Sequence, residues 1–164
     1  MAHPVPGPGR LAGFAALWLA LAAPAGAQGP LPHSAKLELS SSHVGAQPVE
    51  VTVQLGYDMQ CGYPGPGPVL LTFPAAEHVP ATIPTGAVLV DGKMARAVHV
   101  AGQTVSVGLA PPPQVMCDVI GPGRLTLELK RAAGLGNPGR AGSYLLRAAK
   151  GGLTFTARFA VRAG

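Results

Sequence analysis

Most of the chain after residue 34 alternates between apolar and polar positions. Val49–Leu55 has an apolar residue at every second position, and Leu153–Val161 repeats this over a longer run. A period of two predicts strands with one buried face, because successive side chains of a strand point to opposite sides. Shorter strands are predicted from the same signal at Ala35–Leu39, Pro68–Phe73, Arg124–Leu129 and Ser143–Ala148. No segment after residue 27 shows the 3.6-residue period of a helix.

The middle of the sequence predicts a three-stranded meander. Val88–Val90 is followed by Asp91–Gly92, a favoured pair for a type I′ turn, and then by the strand Arg96–Val100. A second turn at Ala101–Gly102 leads into Thr104–Val107. The alternation predicts one face that is buried and one that points out. The buried face is Val98, Val100, Val105 and Val107, and the outer face is His99, Thr104 and Ser106.

Glycine and proline clusters separate these strands, at residues 62–68, 111–113, 121–123 and 134–139. Short strands with turn signals at such spacing are typical of an antiparallel sandwich or barrel. We therefore expect an all-β fold, an immunoglobulin-like antiparallel sandwich of about 7–9 strands.

The N-terminal region has the parts of a cleavable signal peptide. Arg10 precedes the apolar run Leu11–Ala23, and Ala25-Gly26-Ala27 supplies small residues for cleavage. The run has 13 residues, whereas a membrane-spanning helix needs about 20. We expect a signal peptide at 1–27, a flexible leader at 28–34 and one domain at 35–164. The mature chain should be secreted or extracellular, with no membrane span.

Cys61 and Cys117 are the two cysteines of the chain. An even number of cysteines in an exported protein favours a disulfide. The alternative is a metal site with two thiolates, but neither cysteine has another cysteine or a histidine within five residues, and zinc ligands usually come in close pairs.

Charge is unevenly distributed. Residues 28–100 hold three Lys/Arg and five Asp/Glu, whereas residues 101–164 hold eight and two. The basic half is compatible with attraction to a polyanion. The basic residues are scattered and aromatic residues are few, so the sequence argues against nucleic-acid binding.

The second half contains two recognisable stretches. They are the hairpin around Val88–Gly92 and the motif Ala133-Gly134-Leu135-Gly136-Asn137-Pro138, followed by Ala141-Gly142-Ser143-Tyr144. With these stretches the second half resembles an immunoglobulin-like module of bacterial secreted and surface proteins. The resemblance covers about Phe73 to Val161. It implies a structural or binding role and no established catalytic residues.

Candidate chemistry is sparse. Gly134–Gly139 matches the dinucleotide pattern G-x-G-x-x-G, but Pro138 interrupts it and a strand pattern follows, so a loop is expected. Ser143 lacks the surroundings of a nucleophile elbow. His33, His43 and His78 are candidate copper ligands. Tyr57 and Tyr63, which flank and enter the loop at 62–67, either cover the disulfide or form the lip of a ligand site.

These observations predict a non-catalytic β-sandwich with a structural or binding role, without a cofactor and without a catalytic residue. The alternative function is an extracytoplasmic copper-binding protein. The partner is left open between an envelope polymer and another surface protein.

Overall fold

The computed structural model describes residues 33–111 and 117–164. The predicted signal peptide and leader residues 28–32 lie outside the described residues. Single turns of 3-10 helix occur at Thr85–Ala87 and Arg131–Ala133. The described residues contain ten strands: β1 Ser34–Leu39, β2 Val51–Gln60, β3 Val69–Thr72, β4 Val88–Val90, β5 Lys93–Met94, β6 Ala97–Ala101, β7 Thr104–Gly108, β8 Ile120–Leu129, β9 Gly142–Lys150 and β10 Leu153–Val161.

The strands form two antiparallel sheets of five strands each. The first sheet has the order β1-β2-β8-β4-β5, and the second has the order β10-β9-β3-β7-β6. The alternating positions meet between the sheets, where valines and leucines of β2, β7 and β8 are fully buried. This arrangement confirms the predicted all-β antiparallel sandwich.

Strands β2 and β8 pair over ten residues and form the centre of the first sheet. The glycine cluster at 121–123, which the sequence predicts as a gap, lies within β8. That prediction was wrong because these residues pair with β2, and one of the two glycines, Gly123, fills a position with no room for a side chain. Met59 packs so close to Gly123 that a Cβ on this glycine would lie 2.5 Å from the Met59 sulfur. The glycine therefore makes room for a side chain of the opposite strand.

The predicted three-stranded meander is also wrong, although its turn is correct. Asp91 and Gly92 both have positive φ, at 48° and 74°, as a type I′ turn requires. The chain changes sheets two residues after β5: the Ala95 N–H donates to Val88 in the first sheet, and the Arg96 N–H donates to Gly108 in the second. Strands β4 and β6 therefore belong to different sheets.

Two smaller differences concern strand ends and exposure. β1 begins at Ser34, inside the predicted leader. β3 alternates instead of being buried throughout, and Leu70 is 40% exposed. The faces of β6 and β7 agree with the prediction, since Val105 and Val107 are fully buried, Val98 packs against the core and His99 is exposed.

Candidate functional site

One end of the sandwich carries the disulfide, and we call it the disulfide end. It comprises the end of β2, the start of β8, the loop 61–68 and the turn between β9 and β10. Cys61 and Cys117 are joined in a disulfide across a separation of 56 residues. Beside it, the Cys61 N–H donates to Val119 over 2.7 Å. The disulfide and this hydrogen bond together tie residues 117–119 to the end of β2.

Lys150 holds the loop of this end in place. Its side chain is 2% exposed, and Nζ donates to the carbonyl oxygens of Gly65, Pro66 and Gly67 at 2.9, 2.5 and 2.9 Å. Burial lowers the pKa of Lys150. Because three carbonyls converge on one ammonium group, the loop is pinned to the end of β9.

The two tyrosines have different surroundings. Tyr57 is 4% exposed, its ring centroid lies 5.6 Å from that of Phe155, and its hydroxyl donates to Pro64 over 3.0 Å. Burial raises the pKa of Tyr57 to about 12. Tyr63 is half-buried. Tyr57 therefore packs beneath the loop 61–68, to which its hydroxyl is bonded at Pro64. Cys61, at the start of that loop, is exposed.

Three concavities open around Tyr63. The largest has a volume of about 600 Å³ and lies between the end of β2 and the β9–β10 turn. Its lining includes the apolar side chains of Met59 and Leu153, and its charged residues are Asp58 and Lys150. Since the Lys150 protons point at loop carbonyls, these two groups do not form an acid–base pair.

Exposed apolar side chains mark the same end. Val119 and Ile120, at the start of β8, are 69% and 71% exposed. Met94 is 67% exposed and lines a concavity on the flank of this end together with Tyr63 and Pro111. The sequence gives one signal for this exposure. Ile120 lies at an even position of β8, whereas the buried leucines of that strand are odd-numbered.

The candidate copper ligands do not converge. The His33 ring packs 5.9 Å from Phe155 near the disulfide end. His43 and His78 lie at the opposite end, where they form isolated bridges to Arg162 and Gly136. Over residues 33–111 and 117–164, no three His, Cys, Asp or Glu side chains come together in a way that could hold a metal ion.

The glycine- and asparagine-containing motif organises that opposite end. It forms a loop, as predicted, with Gly134 at a φ of 72°. Asn137 is 4% exposed, and its Nδ2 donates to Ser41 and His43, each over 2.8 Å. The Asn137 N–H donates to Ala46 over 2.9 Å. This motif is therefore a structural clamp on the segment between β1 and β2.

A buried carboxyl group at the same end was not anticipated from the sequence. Glu77 is 3% exposed, and neither of its carboxyl oxygens has a hydrogen-bond partner among the residues that the structure describes. Desolvation by burial raises the pKa of Glu77 to about 8. The residue lies in a turn closed by its N–H on Pro74, and the next N–H, of His78, donates to Gly136. The backbone thus holds the side chain inside.

Comparisons with known proteins support the fold. No family model and no curated protein matches the chain. Among solved structures, the chain is similar to BslA, a bacterial hydrophobin, with a TM-score of 0.51 and 19% identity over 81% of this chain and 100% of that one. Of the helices in the described residues, none is long and apolar enough to cross a membrane.

Proposed function

We propose that this protein is an exported, non-catalytic surface protein that adsorbs to an apolar interface through its disulfide end. The observation that carries the proposal is the exposure of two adjacent branched residues, Val119 and Ile120, at 69% and 71%. Burying such a side chain is worth roughly 1.5–3 kcal/mol. Exposed apolar groups kept together on a surface mark an interaction site.

The surroundings of these residues support an interface role. The disulfide, the hydrogen bond from the Cys61 N–H to Val119 and the pairing of Ile120 with Gln60 hold these residues at the start of β8. The pinned loop beside them contains Pro66 and Pro68, both exposed. A rigid apolar surface loses little conformational entropy when it adsorbs. The bacterial hydrophobin that shares this fold favours the same class of function.

Two matched double variants test the proposal. Val119→Thr with Ile120→Thr removes apolar surface at the disulfide end and retains β-branching. Leu70→Thr with Leu145→Thr makes the same kind of change on the second sheet, where the leucines are 40% and 42% exposed. The measurement is the fall of surface tension at an air–water interface as the protein adsorbs.

We expect the wild-type protein and the variant of the second sheet to lower the surface tension alike. The end variant should adsorb roughly 100-fold more weakly, because it loses about 3 kcal/mol of apolar contact and each 1.4 kcal/mol is tenfold. Equal adsorption by the two double variants would contradict the proposal, and so would a wild-type protein that leaves the surface tension unchanged.

A further inference from the structure

The four edge strands of the two sheets differ in how they are protected against pairing with another chain. β1 carries Lys36 and Glu38, β5 carries Lys93 and β10 carries Arg158. Charged side chains on an edge discourage pairing with another chain. β6, the remaining edge strand, reads Ala-Val-His-Val-Ala from Ala97 to Ala101 and carries neither an Asp, Glu, Lys or Arg nor a proline.

The outward edge of β6 also presents free backbone groups. β6 turns into β7 through the two residues Gly102 and Gln103, so the closing pair of this hairpin is a hydrogen-bonded one. Since such pairs alternate along a ladder, the N–H and C=O groups of Val98 and Val100 point away from β7. Within the described ranges 33–111 and 117–164, β6 pairs with β7 alone.

We propose that β6 pairs antiparallel with β6 of a second copy of this chain, about a two-fold axis at His99. The strand is a palindrome, so a second copy presents the same residues in the reverse order. Val98 then lies opposite the partner's Val100, and the N–H of each of these residues donates to the C=O of the other. Val100 and the partner's Val98 form the same pair of bonds. Each free donor meets an acceptor, which gives four backbone hydrogen bonds and one continuous ten-stranded sheet.

Side chains fit this pairing as well. Val98 and Val100 pack against the core on the inner side of the sheet, and the partner's valines would extend that row. His99 is exposed on the outer side, and its cross-strand neighbour there is Ser106. His99 therefore meets the partner's His99 at a non-hydrogen-bonded position, where side chains of opposed residues lie close together.

The pairing has a consequence for the orientation of the two copies. β6 begins near the disulfide end, where Arg96 and Gly108 line a concavity with Tyr63, and it runs toward the opposite end. Antiparallel strands would place the two disulfide ends at opposite poles of the dimer. Resting on the proposed function, this makes the dimer a bridge between two apolar surfaces. The pairing itself does not depend on that function.

Charge variants at the centre of the pairing test it. His99→Lys and His99→Glu each place like charges directly opposite one another across the two-fold axis, which is unfavourable. The matched controls are Ser106→Lys and Ser106→Glu, which put the same charges on the same face but one strand inward. The measurement is the molar mass of the full mature protein by light scattering after size-exclusion chromatography. Circular dichroism of each variant checks that the sandwich is intact.

We expect a wild-type dimer, at least tenfold weaker self-association of each His99 variant, and a dimer again when the two His99 variants are mixed. The Ser106 variants should dimerise like the wild type. A monomeric wild type overturns the proposal, as do His99 variants that remain monomeric when mixed or that dimerise alone. Adsorption of monomeric His99 variants with normal surface activity would show that the proposed function stands even if the pairing fails.

Discussion

Replacing the buried carboxyl group with an amide, Glu77→Gln, should stabilise the protein at neutral pH. Glu77 is 3% exposed, has no hydrogen-bond partner within residues 33–111 and 117–164, and has a pKa raised by desolvation from 4.5 to about 8. The folded protein therefore keeps a proton that the unfolded chain releases above pH 4.5. As the pH rises from about 4.5 to about 8, stability falls, because the unfolded state gains from ionisation and the folded state does not.

The size of the effect follows from that pKa. One pKa unit corresponds to about 1.4 kcal/mol, so the raised pKa costs on the order of 3 kcal/mol at pH 7 and 5 kcal/mol above pH 8. Glutamine keeps the shape of the side chain and does not ionise. The variant should thus match the wild type near pH 4 and exceed its free energy of unfolding by about these amounts at higher pH.

The assay is urea-induced unfolding followed by circular dichroism at pH 4, 6, 7 and 8.5. The control is Glu38→Gln, which removes a carboxylate that is 56% exposed and pairs with Lys36. Exposed ion pairs contribute about 0–1 kcal/mol, so this variant should differ little from the wild type at any pH. A Glu77→Gln variant whose stability difference from the wild type does not grow with pH would refute the reasoning.

Two further substitutions probe the side chains that hold the loops at each end. Lys150→Met leaves the carbonyls of residues 65–67 without their shared charged donor and should destabilise the protein by about 2–3 kcal/mol, because hydrogen bonds to a charged group are among the stronger ones. Faster amide exchange in that loop should accompany the loss, whereas Lys93→Met, at an exposed position, should alter neither. Asn137→Ala removes both bonds to the 41–43 segment and should lower the free energy of unfolding in urea by about 2–3 kcal/mol. A change below about 0.5 kcal/mol for either variant would contradict the assigned role.

The period-two pattern predicted the strands well because it reflects which face of each strand is buried. The fully buried residues of β2, Val51, Val53 and Leu55, are those that the alternation selects. The same pattern does not say to which sheet a strand belongs. The change of sheets between Ala95 and Arg96 depends on hydrogen bonds to distant strands, and nothing in the local sequence distinguishes it from a continued meander.

The buried charged residues were harder to anticipate, for two different reasons. Lys150 shares the inner face of β9 with Leu146 and Ala148, so its parity places it inside even though lysine is rarely buried. For Lys150, the alternation along the strand was therefore a better guide to burial than the residue type. Glu77 lies in an aperiodic loop, where neither parity nor composition predicts burial, and its position follows from backbone bonds made after the sheets have formed.

The stabilisation that the disulfide provides can be compared with the cost of leaving the neighbouring apolar residues exposed. A link between residues 56 apart stabilises the folded chain by roughly 4 kcal/mol in the chain-entropy model. Leaving Val119 and Ile120 in water forgoes roughly 3–6 kcal/mol of burial. These quantities are of the same order, and both concern residues 117–120, around the start of β8. The covalent link thus allows this end to display apolar side chains that would otherwise favour rearrangement, which is what a protein adsorbing through that end requires.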